Sequence, residues 1–384
     1  MKNLDVPFKS LFEINMGIAP PDHTRQSSVE RVLVFSDTIR LNEIIADGDR
    51  DRRARLHATA RQAAEFAQVT YGSGTFADFP ATPASGVEPP VELWLATFGN
   101  STVEALETKG LLPKLLAKAA SSDEIAVALE TVLGNRDDVA DVIIAMANNS
   151  TSHTRYRALA CAAGARFASL PHFDPEMFHT SMDVDWQALA NRTARLVEAV
   201  NQAEWLQATT PNGTDMMICK QERHAEGDNG LLTVAGSFGN LPAGEAYFAP
   251  LEGKSHGVMV VEWGPTSKLD EPLRLIVENG VVTGIEGKDP HRLLLEDKFA
   301  VNANCRNIAE LGIGTNDRAS RPDNVLEAEK IMGTIHIALG DNSGFGGKVS
   351  APFHQDYVFY RPTLTAIMTD GSKSVLIDDG RMLV

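Results

Sequence analysis

DVIIAMANNSTSHTRYRALACAAGARFASLP, residues 141–171, decides how the first half of the chain folds. Val142 to Ala147 is a short unbroken apolar run, the form of a strand buried on both faces. An Asn/Ser/Thr turn follows that is able to cap a helix. The helix predicted after it ends at Gly164, and a second strand begins near Phe167. Strand, helix, strand is a βαβ unit, whose crossover is right-handed and whose strands are parallel. Val32 to Phe35 is a similar apolar run, and the charged stretch DGDRD, Asp47 to Asp51, reads as a solvated face or helix start. Residues 187–204 carry Leu189, Leu196, Val197 and Val200 at helical spacing, which predicts a helix closing an α/β domain over 1–204.

Composition changes near 205. Nine glycines fall in residues 1–204 and 21 in 205–384. Short β-rich runs separated by Gly, Asn and Asp turns replace the long helical stretches. In LRLIVENGVVTGIEG, Asn279-Gly280 is a strong hairpin signal. The reading is therefore α/β plus β-rich: a parallel-sheet domain, then a mainly antiparallel β domain over 205–384 with a few helices, one around Val325 to Lys330.

The 384 residues are 43% hydrophobic and carry a net charge of −16, ample for real cores and unfavourable for nucleic acid or an anionic membrane. Three cysteines without C-x-x-C spacing make neither a disulfide framework nor a thiolate zinc site, and a reducing compartment fits. No apolar run approaches the roughly 20 residues of a membrane helix, so the expectation is a cytoplasmic protein. There is no Walker loop, dinucleotide fingerprint, G-x-S-x-G elbow or H-E-x-x-H. Gly312-Ile313-Gly314 and Gly344-Phe345-Gly346-Gly347 read as turns or bulges. Cys161 reads as core.

Ile331 to Phe359 carries the chemistry. His336 interrupts the apolar run Ile335, Ile337, Ala338, Leu339, a buried strand in which a lone histidine is ordinarily a satisfied core residue. His354 and Asp356 change that balance, because H-x-D on extended chain puts both side chains on one face. Imidazole and carboxylate together suit a divalent cation. Glu245, delivered by a Pro-Ala-Gly turn to the start of an apolar strand, and Glu310, among small and apolar residues, are carboxylates that burial makes costly unless they are paired or metal-bound. Three carboxylates and two imidazoles would form a two-metal complement for Zn, Mn or Co. The other histidines (His23, His57, His153, His172, His179, His224, His256, His291) read as surface or structural.

Through NGTD (212–215), NLPAGEAYFAP (240–250), AELGIGTN (309–316), KIMGTIHIALG (330–340) and GGKVSAPFHQD (346–356), the second half resembles the thermophilic aminopeptidase T family of two-metal leucyl aminopeptidases. SHTRYRALACAAGARF extends the likeness more loosely into the first half. The resemblance implies metal ligands at Glu245, Glu310, His336, His354 and Asp356, two divalent ions, and a homodimer. It implies hydrolysis of N-terminal residues from a peptide or small amide by a metal-held water, with Glu310 or, second, Glu245 moving the proton. One position departs from that family: seven residues after His336, where its members carry a tyrosine, stands Ser343.

Ring-cleaving dioxygenases of dihydroxypyridines resemble the same fold family but use one Fe(II), held by two histidines and a carboxylate. His336, His354 and Asp356 satisfy that count by type. Those dioxygenases have a histidine where this chain has Glu310 and lack a carboxylate matching Glu245, which weighs toward two metals. A silent or binding scaffold is the third reading; unliganded carboxylates in a cluster would repel one another.

Overall fold

The computed structural model describes residues 3–19, 29–265 and 267–384, and His23 lies outside them. The chain divides into two compact units, Met1–Asp183 with Gly230–Leu241, and Val184–Asn229 with Pro242–Val384. The division is therefore not one cut near 205. Helix Trp186–Asn201 belongs to the second unit because its Leu196 and Val200 share a core with Leu206, Ala208 and Ile218. Gly230–Leu241 returns to the first because Phe238–Asn240 pairs in parallel with Arg166–Ser169.

The first unit is built on a five-stranded, wholly parallel sheet in the order Thr75–Pro80, Val32–Thr38, Val142–Met146, Arg166–Ser169, Phe238–Asn240. The βαβ unit expected at 141–171 is present, with helix Arg155–Ala162 between two parallel strands. Thr154 caps that helix by accepting from the Arg157 N–H, and Gly164 follows its end at φ +98°. Phe35, Trp94, Phe98, Tyr156 and Phe167 fill the core beside the sheet, together with Cys161. Asp47–Tyr71 is a 25-residue helix that starts at the DGDRD run.

The second unit holds an eight-stranded antiparallel sheet and a five-stranded antiparallel sheet. Asn279 and Gly280 turn between Lys268–Glu278 and Val281–Glu286, both at positive φ, as a two-residue hairpin of this sequence requires. The five-stranded sheet runs His354–Phe359, Ile335–Gly340, Ile308–Gly314, Glu245–Phe248, Glu226–Asp228. Its period-two alternation decides everything that follows. Ala246, Phe248, Leu311, Ile313, Ile335, Ile337, Leu339, Tyr357 and Phe359 join the hydrophobic core. The intervening residues Glu245, Glu310, His336, His354 and Asp356 must then rise from the opposite face. Among the described residues no helix is long and apolar enough to cross a membrane, and Cys161, Cys219 and Cys305 are free and buried.

Candidate metal centre

Register gathers donors from four strands. Glu310 and Asp356 both lie opposite Ala338, so a methyl group separates two carboxylates across three strands. His336 pairs with Gly312 and His354 with Gly340. The glycine at 312 is neither turn nor bulge: a Cβ there would sit 2.0 Å from the His336 ring, so its absence makes the seat for the imidazole. Gly314 is opposite Glu245, and its missing Cβ makes room for the Ile331 carbonyl.

The donor atoms converge in three overlapping groups, each within 4.8 Å: Glu245, Glu310 and His336; Glu310, His354 and Asp356; Glu329, His336 and Asp356. All five residues expected from sequence are thus brought together. The trio His336, His354 and Asp356 does not form one of these groups. Glu310 stands between the imidazoles, its Oε1 3.4 Å from His336 Nε2 and its Oε2 3.5 Å from His354 Nε2. The H-x-D pair faces one way as expected, with His354 Nε2 3.5 Å from Asp356 Oδ1.

The cluster has an open and a closed end. Side-chain exposure falls from 30% at His354 and 20% at Asp356, through 11% at Glu310, to 8% at Glu245 and 1% at His336. At the closed end is Lys330, buried, its Nζ 2.5 Å from Glu245 Oε1 and 2.8 Å from Glu329 Oε1. Burial works against this ammonium, but the charges of Glu245 and Glu329 overcome it and hold it firmly protonated. Burial pushes the Glu329 carboxyl above the usual range, so Glu245 is the charge partner that matters most to Lys330.

Both imidazoles titrate high in this metal-free arrangement. Burial alone would lower His336; the hydrogen bond to Glu310 and the carboxylate charges push it up to about 9. Against the same burial, Asp356 and Glu310 push His354 up to about 10. Burial would raise Asp356, but His354 beside it holds the carboxyl well below its usual range. Two buried atoms of the closed end, Glu245 Oε2 and His336 Nδ1, have no hydrogen-bond partner. Glu245 Oε2 lies 3.4 Å from His336 Nε2 without making a hydrogen bond to it. Nitrogen and oxygen donors of this kind fit a divalent ion of the iron, manganese or zinc type.

The loop after Ile335–Gly340 orients the open end. His354 Nδ1 donates to the Asp341 carbonyl at 2.7 Å, which turns Nε2 toward the carboxylates. Asp341 is fixed in turn: its carboxylate accepts from the Ala351 N–H at 2.9 Å and from the Ser343 hydroxyl at 3.0 and 3.2 Å. Ser343 therefore does not substitute for a tyrosine aimed at reacting atoms; it braces the residue that aims His354. Phe345, in the same loop, sets its ring 5.9 Å from both His354 and Tyr247, edge to face. Tyr357 turns away from the site, its hydroxyl 2.9 Å from His291 Nε2.

The whole chain has an aminopeptidase T-like fold. It is similar to the structure of 2,5-dihydroxypyridine dioxygenase from Pseudomonas putida KT2440, with TM-score 0.66 and 18% identity over 99% of this chain and 97% of that one. It is also similar to wild-type AmpT from Thermus thermophilus, with TM-score 0.64 and 14% identity over 100% and 99%. At these identities the structural likeness establishes the fold. Residues 113–384 match the NicX family, 2,5-dihydroxypyridine 5,6-dioxygenase, and the chain belongs to that family. No curated protein sequence matches it. Membership overturns the metallo-aminopeptidase expectation: the family is one of oxidoreductases, and the hydrolytic roles given to Glu310 and Glu245 go with it.

Proposed function

We propose that this chain is a ring-cleaving dioxygenase for a dihydroxylated nitrogen heteroaromatic ring, using one Fe(II) held by Glu310, His354 and Asp356. The match of residues 113–384 to the NicX family carries the reading. The exposure gradient supports the choice of ligands, because an ion that must meet a ring and dioxygen belongs where His354 and Asp356 reach solvent. When bound, the iron supplies a redox centre at which dioxygen and the dihydroxylated ring are brought together; one ring bond breaks and both oxygen atoms enter the product.

The protein's own residues supply the geometry. Asp341 and Ser343 set the His354 tautomer, and Ala338 keeps the floor between Glu310 and Asp356 low. Phe345 and Tyr247 offer an aromatic wall beside His354 against which a flat ring can stack or abut. The triad departs from the two-histidine, one-carboxylate set that the dioxygenase resemblance implies, since Glu310 stands where those enzymes have histidine. A Glu310→Ala variant, which leaves only His354 and Asp356, loses iron.

The test is anaerobic Fe(II) reconstitution, then 2,5-dihydroxypyridine and labelled ¹⁸O₂. The expected result is one dioxygen consumed per ring opened and two labelled atoms in the product. No dioxygen uptake by iron-loaded protein with this ring or its dihydroxypyridine isomers, or a single labelled atom, would overturn the reading.

A further inference from the structure

We propose that Lys330 is a built-in cation that takes up the charge of Glu245 beside the second metal position, so that the site accepts a single divalent ion at its open end. The inference deepens the iron reading and rests on it for the identity of that ion, though not for the count. Four carboxylates crowd this face: Glu245, Glu329, Glu310 and Asp356. Lys330 engages the first two with one ammonium, at 2.5 and 2.8 Å. Glu310 and Asp356 remain with no ammonium in ion-pair contact, so a divalent ion finds its charge partners there.

The group Glu245, Glu310 and His336 has the donors for a second metal, and Glu245 Oε2 is buried without a partner. What it lacks is a vacancy in charge. An ion seated there would share Glu245 with an ammonium in a place with 1% exposure at both Lys330 and His336, where like charges are poorly screened. Lys330 cannot swing clear. Its amide donates to the Glu327 carbonyl, its own carbonyl accepts from the Asn316 N–H at 2.9 Å, and its side chain is enclosed. On this account Lys330 is a positioning residue: it fixes Glu245 and Glu329 and thereby decides metal number.

The experiment counts Mn(II) bound to full-length metal-stripped protein by equilibrium dialysis, with no substrate. Wild type is expected to bind one ion per chain, Lys330→Arg one, and Lys330→Met two, the second lost again in Lys330→Met/Glu245→Gln. Two ions in wild type, or one in a folded Lys330→Met variant, overturns the proposal. Should Lys330→Met fail to fold, Glu245→Gln alone decides: a Kd for the single ion within about threefold of wild type supports the assignment, and a hundredfold loss makes Glu245 a ligand and overturns it. Failure to cleave a ring leaves these counts unchanged, so this proposal and the oxygenase reading fall separately.

Discussion

The two ends of the donor cluster use the same residue types for opposite purposes. At the closed end, Glu245 and Glu329 hold a lysine that is 1% exposed, and His336 lies beside Glu245. At the open end, Glu310, His354 and Asp356 present similar atoms with no lysine among them and with His354 30% exposed. A carboxylate beside a fixed ammonium is already neutralised and serves structure. A carboxylate beside an imidazole that can lose its proton is available to a metal. Composition of the cluster alone does not separate these roles; the position of one ammonium does.

The largest effect that would break this contrast is at the open end. Asp356→Ala should weaken Fe(II) binding by more than about a hundredfold, beyond the 10- to 100-fold typical of losing a residue that only supports a ligand, and abolish ring cleavage. Isothermal titration and dioxygen uptake measure both. At the closed end, Lys330→Met should cost the metal-free protein about 3–5 kcal/mol, because Glu245 stays buried without its counter-charge. Urea unfolding of the stripped protein reads this, and a loss below about 1 kcal/mol would erase the distinction between the ends.

Gly312→Ala sharpens the comparison from the middle of the sheet. The new methyl meets the His336 ring at 2.0 Å against rigid strand neighbours, a strain of about 1–3 kcal/mol that should appear as a lower Tm. Metal affinity at the open end should change far less than in Asp356→Ala. Phe345→Ala gives the smallest effect: a two- to tenfold rise in KM for an aromatic substrate, about 0.5–1.5 kcal/mol of ring contact, with Fe(II) affinity unchanged.

Proton linkage tests both imidazoles at once. Their folded pKa values, about 9 for His336 and about 10 for His354, lie above the ordinary 6.5, so the protonated forms stabilise the metal-free protein. That contribution is complete below pH 6.5 and disappears as pH rises through 9 to 10. Metal-free protein should therefore lose stability across that alkaline window. Metal binding at pH 7 should release protons, seen as a dependence of the binding heat on buffer ionisation enthalpy, and a buffer-independent heat would mean the imidazoles were already neutral.

Much of this site was legible in sequence because strands alternate. H-x-D announced a shared face, and carboxylates at 245 and 310 stood out among small and apolar neighbours. Lys330 was not legible. It opens the string KIMGTIHIALG but read as the end of a helix around Val325 to Lys330, whereas the helix is Val325–Ala328 and the lysine is enclosed beyond it. The available signal is an adjacent Glu-Lys pair four residues ahead of a buried strand. The role of Gly312 depends on cross-strand register with His336, which spacing along one strand cannot reveal. Phe238–Asn240, three residues long, is too short to betray that it completes the parallel sheet of the first unit. The activity class escaped for a different reason. The donor residues weighed toward two metals, while the family match draws on the whole of 113–384, most of which holds no ligand.

Anomalous scattering at the iron edge from crystals of Fe(II)-loaded protein would locate the ion among these donors. One peak per chain is expected, within about 2.0–2.3 Å of donor atoms from Glu310, His354 and Asp356, with Lys330 still on Glu245. A second peak, or a single peak between Glu245 and His336, would contradict that expectation.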